Sequence, residues 1–105
     1  MIVAQQTINS NVPAIVNTTT PFANNPARTG WSIQNLGQNA LYVLLQPIGT
    51  TTVASTTVFH VVLKAGTSND DGTGGSVGQE QGVIFTGPIT VAGTSPRFVI
   101  TEFAA

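Results

Sequence analysis

Short apolar stretches that alternate with polar residues recur along this chain and predict β-strands. β-Branched residues are abundant, and Glu and Lys are scarce, so the signals for helices are nearly absent. The strands are predicted at residues 2–8, 12–17, 31–35, 40–46, 57–64, 83–85, 89–92 and 97–103. Strands this short and this closely spaced predict an all-β chain, an antiparallel β-sandwich or jelly-roll-like fold of about eight strands.

The alternation also predicts which side chains face the core. Trp31 and Ile33 share one face of their strand, and we expect that face to be buried. The stretch 57–64 differs because it is apolar on both faces, with Phe59 on one and Val62 on the other. Two explanations stay open: a neighbouring subunit covers the second face, or the strand lies at a corner of the sandwich.

Turn residues separate the predicted strands. The sequence "NLGQNA" contains Gly37 and Asn39, which tolerate positive φ, and it predicts a hairpin between the strands on either side. Residues 17–30 show no strand pattern and are expected to form a surface loop, or an arm that reaches another subunit. Residues 66–82 are expected to form a flexible Gly-rich loop. Residues 1–17 are expected to form an N-terminal arm or extra strands.

The charge composition narrows the possible partners. Asp, Glu, Lys and Arg make up only 7% of the 105 residues, the formal net charge is −1, and three residues are basic. Three basic residues cannot neutralise many phosphates. We therefore expect no direct nucleic-acid partner and no membrane partner. Because a neutral surface is poorly protected against association, we expect other subunits to cover much of it. Residues 1–105 are expected to form a single domain, and no cysteine is present for disulfides.

Catalytic residue types are too few to predict an enzyme. His60, the single histidine, is flanked by apolar residues on a predicted strand, so we expect a structural or interface role for it. The four acids are Asp70, Asp71, Glu80 and Glu102. Three of them lie in or beside the Gly-rich loop, which holds no fixed distance between two carboxylates, and Glu102 is expected to be solvated or paired. No catalytic residue and no cofactor is predicted.

The stretch "SNDDGTGGSVGQEQG", residues 68–82, raises the question of a bound phosphate or metal ion. It lacks the lysine and the following helix of a phosphate-binding loop. Its part "NDDGTGG" clusters oxygen ligands that suit calcium, but the ligand spacing is not that of an EF-hand. We therefore expect a mobile polar loop without a metal site, which a neighbouring subunit could order.

Four segments, in this order, carry a resemblance to a known class of proteins: "ARTGWSIQNLGQNALYVLL", "FHVVLKAGTS", "GVIFTGPITV" and "PRFVITEF". Together they resemble small β-sandwich structural proteins of tailed bacteriophage virions, the kind found as capsid decoration or cement proteins, head-fibre proteins and tail-associated modules. The likeness covers residues 28–103, about three-quarters of the chain. It is a pattern of strands and turns, and it supplies no catalytic residue.

The resemblance implies a non-enzymatic virion protein that is assembled in the host cytoplasm and lies on the capsid surface. Its expected partners are the major capsid protein and copies of itself, as a homotrimer. Each copy would bridge neighbouring capsid subunits and oppose expansion of the capsid. The candidate assembly contacts are Phe22 and Arg28 in the expected loop, and Ile2 and Val3 in the N-terminal arm.

Two other functions stay open. A head-fibre or tail-tip module that binds a carbohydrate or a receptor would present aromatic side chains for stacking against sugars. Trp31 and Phe59 are expected in the core and Tyr42 lies in the apolar run "LYVLL", which leaves Phe22 as the loop-borne aromatic. A small hydrolase is the third possibility, and it would depend on His60.

Overall fold

Two antiparallel β-sheets pack face to face in the computed structural model, which describes residues 3–9, 17–68, 71–94 and 96–104. The strands are β1 (Val3–Asn9), β2 (Asn17–Phe22), β3 (Arg28–Asn35), β4 (Leu41–Leu45), β5 (Val61–Leu63), β6 (Ser76–Gln79), β7 (Ile89–Gly93) and β8 (Phe98–Ala104). Within these ranges there is no helix, and hence none long and apolar enough to span a membrane. The predicted all-β class and antiparallel sandwich architecture are confirmed.

The body of each sheet has three strands, β8-β3-β6 in the first sheet and β7-β4-β5 in the second. The backbone of β1 pairs with β8 and that of β2 pairs with β7, which extends each sheet by one edge strand. Among the described strands, β4 and β5 are the one consecutive pair that lies in the same sheet. All the remaining connections between successive strands pass from one sheet to the other, so strands that are neighbours in sequence face each other across the core.

The core lies between the sheets and follows from the alternation of side chains. Trp31 and Ile33 on β3 are buried, as predicted, and so are Phe98 on β8 and Val43 on β4. The rings of Phe22 and Trp31 pack edge to face, with 5.9 Å between the ring centroids and 66° between their planes. Burying each side chain of this size stabilises the fold by about 1.5–3 kcal/mol relative to exposure. These contacts join the two sheets into one body.

The predicted hairpin at "NLGQNA" is wrong, because β3 and β4 belong to different sheets. The buried amide of Asn35 explains the crossing. Its Nδ2 donates to the carbonyls of Asn39 at 2.8 Å and Leu63 at 3.3 Å, and its Oδ1 accepts from the backbone N–H of Gly37 at 2.9 Å. A buried amide needs such partners, and here they hold an arch between the sheets in place of a tight turn.

The expected flexible loop at residues 66–82 contains β6, which pairs with β3. Gly78 lies opposite Ser32, and a Cβ added to Gly78 would lie 2.9 Å from the Cβ of Ser32. The glycine therefore serves a close approach of two strands, a role that composition alone does not distinguish from flexibility. Residues 83–85, expected to be a strand, form none.

Residues 17–30, expected to be a loop or arm, contain β2 and the first residues of β3. Of the predicted strand at 12–17, residues 12–16 lie outside the described part of the chain. The predictions at 31–35, 40–46, 89–92 and 97–103 agree with β3, β4, β7 and β8 to within a few residues. β5 is shorter than its prediction at 57–64, since only Val61–Leu63 pair with β4.

Candidate interaction surfaces

The side chain of Arg28 is buried where β3 begins, although we expected it on a surface loop. A turn precedes the strand: Asn25 Oδ1 accepts from the N–H of Ala27 at 3.1 Å, and Asn25 O accepts from the N–H of Arg28 at 3.0 Å. Arg28 Nε donates to Glu102 Oε2 at 2.8 Å. Glu102 is therefore paired, which is one of the two states expected for it.

The other guanidinium hydrogens of Arg28 bind the backbone of two loops. Nη1 donates to the carbonyls of Phe85 and Gly87, both at 2.9 Å, and Nη2 donates to that of Ala23 at 2.6 Å. The cation also lies 5.2 Å from the centre of the Phe22 ring. Arg28 thus links strands to loops inside one chain.

Two of the four candidate assembly contacts are therefore used within the chain. Phe22 is 2% exposed and Arg28 is 4% exposed, so neither side chain is available to a neighbouring subunit. Both residues lie in strands, and their side chains point into the sandwich. Ile2 and the side chain of Val3 lie outside the described part of the structure, and the backbone of Val3 pairs with Ala104.

The carboxylate of Asp71 organises the start of the Gly-rich segment. It accepts hydrogen bonds from the hydroxyls of Thr67, Thr73 and Ser68 and from the backbone N–H groups of Ser68 and Thr73, the last two at 2.9 Å. These donors, the Thr67 hydroxyl first, hold the pKa of Asp71 far below its usual range. Donors of its own loop surround the carboxylate, and no three acidic or histidine side chains converge among the described residues.

His60 is exposed beside the end of β5. Its Nδ1 accepts a hydrogen bond from the backbone N–H of Leu45 at 3.1 Å. The backbone N–H of His60 donates to the carbonyl of Val43 at 2.8 Å. Because Nδ1 is the acceptor, a neutral imidazole carries its proton on Nε2. The ring therefore extends the hydrogen bonding of β4 beyond β5.

The connection between β4 and β5 covers part of the outer face of the second sheet. Ala54 is fully buried against Leu44 and Ala92, which point away from the main core. The N–H of Ala54 donates to Oγ1 of Thr90, itself buried, at 2.8 Å. Ser55 closes a tight turn with Val58 through two backbone hydrogen bonds. Residues 46–60 therefore form a fixed strap with a small apolar core beneath it.

The outward side of this strap is apolar. Four side chains on the strap and β5 are each between 40% and 46% exposed: Val53, Val58, Phe59 and Val62. The ring of Tyr42 lies beside Phe59. Tyr42 is opposite Val62 in the β4–β5 pair, and its ring centre lies 5.0 Å from that of Phe59. We call these five residues the outer patch. Val58 and Val62, from the second apolar face of 57–64, are thus left partly open by the chain, and so is Phe59, which was expected in the core.

A cleft of about 510 Å³ lies between residues 46–50, at the start of the strap, and residues 83–88. Ile48 and Val83 line it and are almost fully exposed, and Phe85 lies between them and the core. The residues that line this cleft carry no charge. A second depression, of about 390 Å³, is lined by Thr29, Gly30, Glu80 and Phe103. Neither the cleft nor the outer patch was predicted, because both depend on how the β4–β5 connection folds back.

The described surface is thus mainly neutral, and one face carries apolar side chains. The ion pair between Arg28 and Glu102 is largely buried and contributes to the fold. No protein-family model, no curated protein and no solved structure matches the chain.

Proposed function

We propose that the chain is a non-enzymatic structural protein of a virion, a decoration protein on the capsid surface that is assembled in the host cytoplasm. The observation that carries the proposal is the strand order. The orders β1-β8-β3-β6 and β2-β7-β4-β5, in which all connections except β4–β5 pass between the sheets, are compatible with a jelly roll, an architecture used by viral capsid and lectin domains. Fold alone does not assign a function, so the surface must agree with it.

The surface chemistry supports an assembly role. The chain has seven charged residues, and two of them, Arg28 and Glu102, pair with each other in a largely buried site. The remaining surface is dominated by threonine, glycine, asparagine and exposed valine. Such a surface is polar but carries little charge, and it is therefore poorly protected against association with other molecules. In permanent assemblies such a surface is covered by partners.

The proposed partners are the major capsid protein and further copies of the chain, as a homotrimer. A copy that contacts two capsid subunits adds interface area that must be broken before the capsid expands. Since a protein that binds only the mature lattice stabilises that lattice by mass action, no chemistry at a catalytic site is needed. The mechanism is mechanical.

Cosedimentation with capsids that lack the protein tests the proposal. Capsids of the virus that encodes the chain are mixed with increasing amounts of the purified protein, sedimented and analysed for bound copies. We expect saturable binding with a fixed number of copies per capsid and a higher temperature of DNA release. Absence of binding to both immature and mature capsids would overturn the proposal.

The alternative is a head-fibre or tail-tip module that binds a carbohydrate or receptor, and one observation favours it. The rings of Tyr42 and Phe59 lie side by side at the surface, tilted by 59°, where a sugar could stack. Phe22, the aromatic expected for this role, is in the core. A glycan array distinguishes the two functions: binding that Phe59→Ala abolishes would favour this alternative over capsid decoration.

A further inference from the structure

We propose that the outer patch is the surface through which this chain binds a second copy of itself. The patch consists of Tyr42, Val53, Val58, Phe59 and Val62 on the strap and the neighbouring strands β4 and β5. It contains four of the six large hydrophobic side chains that are exposed within the described residues. The inference deepens the proposed function and rests on it in one respect only, that the chain acts as an assembly of copies. A patch that meets its own copy joins chains in pairs, so this contact is separate from the three-fold contact that closes a homotrimer.

The strap is fixed before any partner binds. Ala54 points inward, is fully buried and is tied to Thr90, whereas Val53 on one side of it and Val58 beyond the Ser55 turn point outward. Because these hydrogen bonds already order the strap, binding through its outward side chains costs little conformational entropy. Valine at outward positions that are rigidly held gains its burial energy only when another molecule covers it.

Charge favours a second copy as the occupant. Residues 29–63 contain no Asp, Glu, Lys or Arg, so the strap, β4 and β5 bring no formal charge to the patch. Lys64 follows β5 as an exposed residue at its margin. A surface without charge is complementary to itself, because a two-fold axis can place it against its own copy without burying an unpaired ion. A charged partner would leave its ions desolvated there.

The surroundings of the patch have the anatomy of an interface. Exposed threonines flank the apolar side chains along the strap, at positions 51, 52, 56 and 57. A polar uncharged rim around an apolar centre is the usual arrangement in protein–protein contacts. A stable contact takes about 800 Å² from each partner, which is about one seventh of the 5763 Å² that the chain exposes. One face of a molecule measuring 36 × 29 × 21 Å supplies an area of that order.

Solution mass tests the inference, with lysine placed on the patch and on a matched control position. Val62→Lys and Val58→Lys each put a cation into the patch, where it would face the same cation of the second copy. Val83→Lys makes the identical change at a side chain that is 93% exposed in the neighbouring cleft. Light scattering on a sizing column is measured over a hundredfold range of protein concentration. Far-UV circular dichroism confirms that each variant is folded.

We expect the wild-type chain and Val83→Lys to elute as assemblies of at least two copies. Val62→Lys or Val58→Lys should shift the dissociation midpoint to at least tenfold higher concentration. A wild-type monomer at all concentrations would overturn the inference, as would assemblies that both patch variants leave intact. The outcome is separable from the proposed function: a monomer that still saturates capsids overturns only the inference, and an assembly that binds no capsid overturns only the proposed function.

Discussion

Glu102 on β8 accepts a hydrogen bond from Nε of Arg28 on β3 at 2.8 Å, and the side chain of Arg28 is completely buried. The remaining N–H groups of Arg28 bind the carbonyls of Ala23, Phe85 and Gly87, which lie on two different connections. A buried guanidinium keeps its charge, so each of these acceptors offsets part of its desolvation cost. The pair therefore fixes one end of the sandwich, next to the cleft lined by Phe85.

Arg28→Met is expected to destabilise the chain by about 3–5 kcal/mol, because it leaves Glu102 unpaired and removes the donor to three carbonyls. Glu102→Gln should cost less, since its side-chain oxygen still accepts from Nε and only the charge is lost. Urea unfolding followed by tryptophan fluorescence measures both values. Equal losses in the two variants would contradict the central role assigned to the guanidinium.

The strap depends on one buried hydroxyl. Thr90→Val keeps the shape of the side chain and removes the acceptor that binds the N–H of Ala54 at 2.8 Å. Loss of a buried hydrogen bond is expected to cost about 1–3 kcal/mol and to loosen residues 46–60 before the sheets unfold. Hydrogen exchange at the amide of Ala54 should become faster in the variant. The exposed Thr51 provides the matched control, and Thr51→Val should leave this exchange rate unchanged.

Local alternation was enough to predict the strands whose inner residues are all apolar. β4 and β7 are examples, because one apolar face against the core dictates both the strand and its orientation. The same reasoning missed β2, whose sequence "NTTTPF" holds a single large apolar residue, Phe22. It also missed β6, where Gly78 is needed for close contact with Ser32.

The site residues were harder to predict than the strands, because polar side chains were judged by composition. Arg28 follows a turn-rich stretch, and nothing in that stretch shows that Glu102, far along the chain, lies beside it. Asn35 gave the same difficulty: a turn-forming residue in the sequence, it is a buried cross-link between the sheets. The outer patch had one visible signal, the second apolar face of residues 57–64, which the chain leaves partly exposed.

The imidazole of His60 is expected to protect the backbone of Leu45. Its Nδ1 accepts a hydrogen bond from the N–H of Leu45 at 3.1 Å, at the surface beside β5. Such an exposed bond is worth no more than about 1 kcal/mol, since water can replace it. Hydrogen exchange at the Leu45 amide, measured at one constant pH, reports whether the bond forms.

Two substitutions test the acceptor. His60→Asn places an amide oxygen near the position of Nδ1 and should keep the exchange rate of the Leu45 amide close to that of the wild type. His60→Ala removes the acceptor and should make this exchange faster. Equal exchange rates in the wild type and His60→Ala would show that the ring does not protect the amide.

Asp71 is expected to make the folded chain less stable in acid. Its pKa is held below the ordinary value of about 3.9 by the donors of Thr67, Thr73 and Ser68, which favour the charged form. Folding therefore gains from the carboxylate above the pKa of the unfolded chain. This gain is lost as the pH falls through that value toward the lower folded pKa. The free energy of unfolding is therefore expected to decrease below about pH 5, over the pH range in which an unfolded aspartate binds its proton.

Asp71→Asn removes the titrating group and keeps one acceptor oxygen. We expect the urea midpoint of the wild-type chain to fall more between pH 7 and pH 3 than that of Asp71→Asn, because only the former loses a hydrogen-bonded carboxylate. Glu80→Gln serves as the control for removing one exposed negative charge, because it leaves the hydrogen bonds around Asp71 in place. Parallel pH profiles for the wild type and Asp71→Asn would mean that the loop hydrogen bonds form equally well with a protonated acid, contrary to the direction of the pKa shift.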